Sequence, residues 1–420
     1  MKIPSFKYII EISEVKGLAD IVTVLYYKGG CIMKYVDRLN THSYKWDALE
    51  REFGASDLIA MWVADMDFEC ADCIKEALHK YVDDPLGYFA TPQEYYETVI
   101  KWEKERHGFD VKKEWICITP GIVPALYWAV KTYVKPGEAV IINTPVYYPF
   151  KNAILAGGCK CIESQLVETG RTYTIDYEKF EKDIVENNVK LYILCNPHNP
   201  VGRVWTEEEL KKLLEICRKH NVIVVSDEIH QDIVDPKLGR KKVTAATVDG
   251  GAYQDMIITM AAVSKTFNIA AVQNSFIIIP NPELKDKFES FLSEYSLDDV
   301  NGFGHIATMA AMEGGKEWLD EVLDVIYGNY RYMRERFDTE LPDVKTFDLE
   351  GTYLPWVDFG AYVKTRDELE ELIQGKCKLA IDYGEWFGGP DYAAYARFNL
   401  ATKREYIETA CDRIIAELKK

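Results

Sequence analysis

Three polar residues, each set just after an apolar run, stand in a chemically meaningful order. Asn199 lies in Asn196-Pro197-His198-Asn199-Pro200-Val201-Gly202, Asp227 in Asp227-Glu228-Ile229-His230, and Lys265 in Ser264-Lys265-Thr266-Phe267-Asn268. A buried lysine loses its charge readily and becomes a nucleophile that forms an imine with an aldehyde. An aspartate at a buried strand end needs a cationic partner, and a protonated pyridine nitrogen is one. An amide donor beside the ring oxygen tunes the imine. Asn, Asp and Lys in this order are what pyridoxal phosphate (PLP) chemistry requires. Each has a bland alternative: a turn asparagine, a helix cap, a loop lysine. The three together select the cofactor reading, with Asn196 as the structural asparagine.

Other residues fit around that centre. Thr119-Pro120-Gly121-Ile122-Val123 joins a strand to a helix, and the free amides of Ile122 and Val123 after Gly121 could hold a phosphate. Ser264 could add a hydroxyl. Tyr147, in Thr144-Pro145-Val146-Tyr147-Tyr148, could stack on a flat ring, with core packing as its alternative. His230 points to the same pocket if a turn follows Asp227; a histidine bonded to backbone is the other reading.

The elements that must position these groups follow from apolar runs. Trp115–Thr119, Ala139–Ile142, Leu191–Cys195, Val222–Ser226, Met256–Met260 and Ser275–Ile279 read as strands, and Val123–Val130 as a helix. Thr206 with Glu209 predicts a capping box. Short runs apolar on both faces, alternating with helices, indicate an α/β fold with a mostly parallel sheet covered on both sides. Ligands of such sheets gather at the carboxyl ends of strands. After Gly314-Gly315, a helix over 317–341, strands over 352–359 and 395–400 and a closing helix predict a smaller α+β domain.

A length of 420 residues suits two domains, and 48% hydrophobic content allows a large core. The net charge of -18 argues against nucleic acid and anionic membrane as partners. No run approaches a membrane span. Ten scattered cysteines predict reduced thiols in a cytoplasmic protein. Cys70-Ala71-Asp72-Cys73 lacks a second ligand pair at zinc spacing, so no metal site is expected. Met33 looks like a natural start, which makes residues 1–32 an extension or an ordered arm.

From Met33 onward the chain resembles fold-type I PLP enzymes, and more closely the carbon–sulfur β-lyases of the cystathionine β-lyase (MalY/PatB) type. Lys45-Trp46-Asp47, Trp62-Val63-Ala64-Asp65-Met66-Asp67-Phe68, Gly87-Tyr88, Tyr353-Leu354-Pro355-Trp356 and Arg397-Phe398-Asn399-Leu400-Ala401 carry the resemblance. It implies a seven-stranded sheet in a large PLP-binding domain (60–315), with a small domain from 33–59 and 316–420. It implies a homodimer in which Tyr88 reaches the partner's cofactor phosphate, and substrate binding by Arg397, with Ala64 and Asn199 beside it. A planar guanidinium matches a carboxylate through two hydrogen bonds. The expected reaction is cleavage of L-cystathionine or another S-substituted cysteine to thiol, pyruvate and ammonia. Alternatives are an aminotransferase and a PLP-binding modulator of a transcriptional regulator. Many aminotransferases of this fold carry an arginine shortly after the lysine and a tyrosine where His230 stands. Here no arginine lies between Lys265 and Pro282, which fits the lyases.

Overall fold

The computed structural model describes residues 33–299 and 301–420; the extension expected at 1–32 lies outside them. Seven strands form one sheet: β1 (Ile116–Thr119), β2 (Ala139–Ile142), β3 (Lys160–Glu163), β4 (Val189–Cys195), β5 (Ile223–Asp227), β6 (Ile257–Ala261) and β7 (Ser275–Ile278). Their order is β1-β7-β6-β5-β4-β2-β3. Only β7 runs antiparallel to its neighbours.

Alternation along the strands explains why both faces are covered. Val140, Leu191, Ile193 and Val225 face one layer, where they pack with Leu126, Phe150 and Phe288 of helices Ile122–Tyr133, Pro149–Ala156 and Pro282–Glu294. Ile141, Tyr192 and Val224 point the opposite way, toward Phe180 and Leu213 of helices Tyr177–Asn187 and Glu207–Lys219. The capping box forms as expected: Thr206 accepts from the Glu209 amide while the Glu209 carboxylate accepts from the Thr206 amide. Such a cap is worth about 1 kcal/mol.

A second, four-stranded antiparallel sheet lies in the C-terminal part. It contains β8 (Lys345–Thr346), β9 (Trp356–Asp358), β10 (Asp382–Tyr383) and β11 (Tyr395–Arg397), in the order β8-β9-β11-β10. Helices Lys316–Glu340 and Arg404–Leu418 belong to the same part. Both strands expected here are shorter than their apolar runs. Pro355 has no N–H to give to a ladder and Thr352 sits at φ 68°, so pairing begins at Trp356. Beyond Arg397, the amides of Phe398, Asn399 and Leu400 go to the carbonyls of Pro355, Met61 and Tyr353. Trp115, expected in a strand, ends a 3₁₀ turn instead.

The loop after β4 depends on one glycine. Gly202 has φ 73°, and a Cβ there would lie 3.1 Å from the Asp348 carbonyl oxygen and 3.0 Å from Leu349 Cδ1. No helix among the described residues is long and apolar enough to cross a membrane.

Candidate active site

The strands β1, β2, β4, β5 and β6 all end on the same edge of the sheet, and the loops that leave them enclose a cavity of about 200 Å³. The expected residues Gly121, Ile122, Val123, Tyr147, Asn199, Asp227, His230, Ser264 and Lys265 line it, together with Ala64. Tyr88 does not: its side chain stands in solvent, at 109% relative exposure. Arg397 sits just behind the wall, where its Nη1 donates to Asn199 Oδ1 at 2.9 Å.

Lys265 is buried, and its Nζ donates to the Ala64 carbonyl at 2.5 Å. Burial lowers its pKa to about 8, and Arg397 pushes the same way, against the opposing pull of Asp65 and Asp227. Two clamps hold the lysine loop. Asn268 exchanges hydrogen bonds with the backbone of Met66, accepting from its N–H and donating to its carbonyl, both at 2.9 Å. Thr266 Oγ1 donates to Asp232 Oδ2 at 2.9 Å, and Asp232 is itself held by Arg106 and His107. The Trp62–Phe68 motif therefore contributes a backbone acceptor and a brace for the loop.

Asp227 is the last residue of β5, opposite Cys195 and Met260 in the register. It accepts from the Ile229 amide at 3.1 Å, and no ion pair to it occurs among the described residues. Burial pushes its carboxyl up to about 7, opposed by the Ile229 hydrogen bond and by Lys265. A turn follows β5, as the pocket reading of His230 requires. His230 is buried, its Nδ1 has no hydrogen-bond partner among the described residues, and burial lowers its pKa to about 3. Its ring lies 5.9 Å from that of Tyr353. Asn196 binds the Val243 carbonyl at 2.8 Å, in keeping with a structural role.

These features fit PLP. A buried carboxyl without a cation suits a protonated ring nitrogen, and a buried amine suits an aldehyde. The helix Ile122–Tyr133 begins at the cavity, so the amides of Ile122 and Val123 have no intrahelical acceptor and could bind a phosphate. Among the described residues, no arginine lines the cavity. Asn199 turns its oxygen to Arg397, which leaves its amide nitrogen for the ring oxygen.

Several contributors escaped the sequence reading. Asp382, opposite Arg397 across β10 and β11, forms a buried ion pair with it. Tyr353 places a buried hydroxyl, unpartnered among the described residues, near Arg397 and Tyr147. Asp232 braces Thr266. The only local signal was the position of Asp232 five residues after Asp227 and of Thr266 beside Lys265.

The fold and this site define an α/β enzyme scaffold with a buried lysine facing a buried aspartate at the strand ends. The family model for aminotransferase class I and II matches residues 57–414, and the chain belongs to that family. The cystathionine beta-lyase PatB of Bacillus subtilis (strain 168) is 39% identical over 386 residues, covering 92% of this chain and 99% of that protein. Cystalysin of Treponema denticola, solved with pyridoxal 5'-phosphate, superposes with a TM-score of 0.88 at 37% identity, over 93% of this chain and 99% of its own. A PLP-bound C-S lyase of Staphylococcus hominis gives 0.85 at 31% identity, over 95% and 99%.

Proposed function

We propose that the protein is a PLP-dependent carbon–sulfur β-lyase that converts L-cystathionine or other S-substituted L-cysteines to thiol, pyruvate and ammonia. One observation carries the reading. The buried Lys265 amine and Asp227, which has no ion pair among the described residues, share a cavity with Asn199, which holds the candidate carboxylate anchor Arg397. Similarity to named lyases over nearly the full chain selects the branch of chemistry.

PLP, when bound, supplies the sink for electrons released at the substrate Cα. Arg397 holds the α-carboxylate and so fixes which Cα bond faces Lys265. Lys265 removes the Cα proton; its lowered pKa leaves a useful fraction of amine uncharged near neutrality. Asp227 holds the proton on the ring nitrogen. The Cβ–S bond then breaks, the sulfur leaves with the bonding pair, and the enamine product is hydrolysed by water to pyruvate and ammonia. The test is direct: purified protein with L-cystathionine should release pyruvate and thiol without a keto-acid acceptor. Product formation that depends on added 2-oxoglutarate would assign the chain to the aminotransferases instead.

The reading includes a cytoplasmic homodimer acting on a small sulfur amino acid, with no nucleic-acid or membrane partner. It also takes 60–315 as the large domain, with 33–59 and 316–420 as the small one. The parallel pairing of Ile59 with Leu379 supports joining those two pieces. The solvated ring of Tyr88, with Leu86 and Val82 also exposed, supports a second subunit. Tyr88 would then complete the partner's phosphate site. Mixing inactive Lys265→Ala and Tyr88→Phe chains should restore part of the activity in hybrid dimers. No recovery after verified subunit exchange would remove Tyr88 from the site.

A further inference from the structure

Asp227 and Lys265 belong to two separate turns. Asp227 ends β5 and opens one of them, and Lys265 lies in the turn that follows β6. Chemistry in the cavity needs a fixed distance between the two, yet among the described residues no hydrogen bond joins their side chains. The turns are linked one step back from the cavity. Asp232 closes the first turn, Thr266 follows Lys265 in the second, and Thr266 Oγ1 donates to Asp232 Oδ2 at 2.9 Å. Both side chains are buried, and neither residue lines the cavity. The first turn is tight along its length, with the Gln231 and Ile233 amides bonded to the carbonyls of Glu228 and His230.

The far side of Asp232 is anchored in helix Gln93–His107. Arg106 Nε donates to Asp232 Oδ1 at 2.8 Å, and His107 Nε2 lies 3.1 Å from the same oxygen. Gln231 Nε2 donates to Glu103 Oε1 at 2.7 Å. Residues 103, 106 and 107 share one helix face, so successive residues of the turn are tied to a single rigid surface. Trp102 lies beneath the Arg106 guanidinium, 4.7 Å from it, and its ring packs 5.9 Å from that of Phe267 in the lysine turn. Glu228, the neighbouring buried carboxylate, is occupied by Lys242, the Ser226 hydroxyl and the Ala245 amide. Burial opposes ionisation of Asp232, but His107, Arg106 and the Thr266 hydroxyl hold its carboxyl below the ordinary range. Thr266 therefore donates to a charged acceptor, a bond roughly twice as strong as a neutral pair makes.

Lys265 has to serve the cofactor aldehyde and the substrate Cα with one side chain. Linkage to the aldehyde is an equilibrium, which a flexible four-carbon stem can reach from a shifted backbone. Proton transfer is less forgiving, because misplacement by about 1 Å can cost about 10²-fold in rate. The side chains of Lys265 and Thr266 leave the turn in different directions, one into the cavity and one to Asp232. The brace thus fixes the backbone from which the amine swings.

We infer that Asp232, acting through Thr266, is a positioning residue that sets Lys265 against Asp227 for proton transfer at Cα. The inference rests on the reading of Lys265 as the imine-forming base and does not depend on C–S cleavage.

The test follows PLP-loaded protein with L-norleucine in deuterium oxide. The Cα proton passes to Lys265, exchanges with solvent, and a deuteron returns to Cα, with no sulfur to lose. Thr266→Val removes the hydroxyl while Asp232 keeps Arg106 and His107. It should retain imine-linked cofactor and bind L-norleucine within about threefold of the wild type, yet exchange the Cα proton about 10- to 100-fold more slowly. Thr266→Ser, which restores the donor, should bring the rate back to within about threefold of the wild type. Asp232→Ala also strips Arg106 and His107 of their acceptor, so Thr266→Val decides if that variant fails to fold. Where it folds, adding Thr266→Val to it should slow exchange by no more than about threefold, because both changes break one link. A wild-type exchange rate in Thr266→Val overturns the inference. So does a loss of rate matched by lost cofactor or ligand binding, or one that Thr266→Ser leaves uncorrected, since those mark a merely structural hydroxyl. A wild type that never exchanges the Cα proton removes Lys265 as the base, and this inference with it. If exchange shows the expected pattern but L-cystathionine yields no pyruvate, the lyase reading fails and this one stands. If L-cystathionine is cleaved while Thr266→Val exchanges at the wild-type rate, the reverse holds.

Discussion

Lys265→Ala should abolish covalent attachment of PLP and reduce pyruvate formation by about 10⁴-fold or more, since one residue supplies both the cofactor linkage and the general base. Borohydride reduction of the wild type should fix the cofactor on the Lys265 peptide, and label on any other lysine would defeat the assignment. The lysine environment adds a pH signature. An ordinary lysine titrates near 10.5, whereas burial brings this one to about 8. Only the uncharged amine attacks an aldehyde. Cofactor uptake by apoprotein should therefore rise about tenfold per pH unit below 8 and level off above it. A rate that keeps climbing through pH 10 would mean that the amine is solvated, contrary to its burial.

The contrast between Lys265 and Asp382 shows what a sequence of this kind exposes and what it hides. Lys265, Asp227 and Asn199 each follow a run that is apolar on both faces, and such runs are central strands of a covered parallel sheet. Strand ends in that architecture converge on one edge, so the three could be grouped before any coordinates. The helix starting at Ile122 was legible for the same reason. Asp382 had no such marker. Its role comes from the register that sets it against Arg397, fifteen residues on, and two-residue strands leave almost no alternation from which to read a register. The strands expected over 352–359 and 395–400 form only over Trp356–Asp358 and Tyr395–Arg397, for a related reason. Their residues are extended and apolar, yet Pro355 has no amide to give, the left-handed Thr352 sends its amide to Ile233, and the Asn399 amide goes to Met61. Burial was visible in the sequence, whereas hydrogen-bond partnership was not.

Asp227→Asn should separate the two halves of this site. The substitution keeps shape and removes charge. Turnover should fall by about 10²–10⁴-fold, because an amide cannot hold the ring nitrogen protonated. Stability should move in opposite directions with and without cofactor. In the apoprotein the folded-state pKa of Asp227, about 7, lies above its ordinary value of 3.8. Below pH 3.8 both folded and unfolded chains are protonated, and the carboxyl costs nothing. Between about 4 and 7 the unfolded chain ionises while the folded one resists, so the wild type loses stability as pH rises. At pH 8 the loss is complete, about 4 kcal/mol at roughly 1.36 kcal/mol per pKa unit. The amide that replaces the carboxyl in the variant has no such titration. The apo variant should thus melt above the wild type at about pH 8, and the gap should close toward about pH 4. Adding PLP should reverse the order at the higher pH, because the wild-type carboxylate then gains its pyridinium partner. Melting curves of both proteins, with and without PLP at the two pH values, measure this directly. An apo variant that melts below the wild type at the higher pH would show that Asp227 already has a cation in the empty site, and would remove the reason for placing the pyridine nitrogen there.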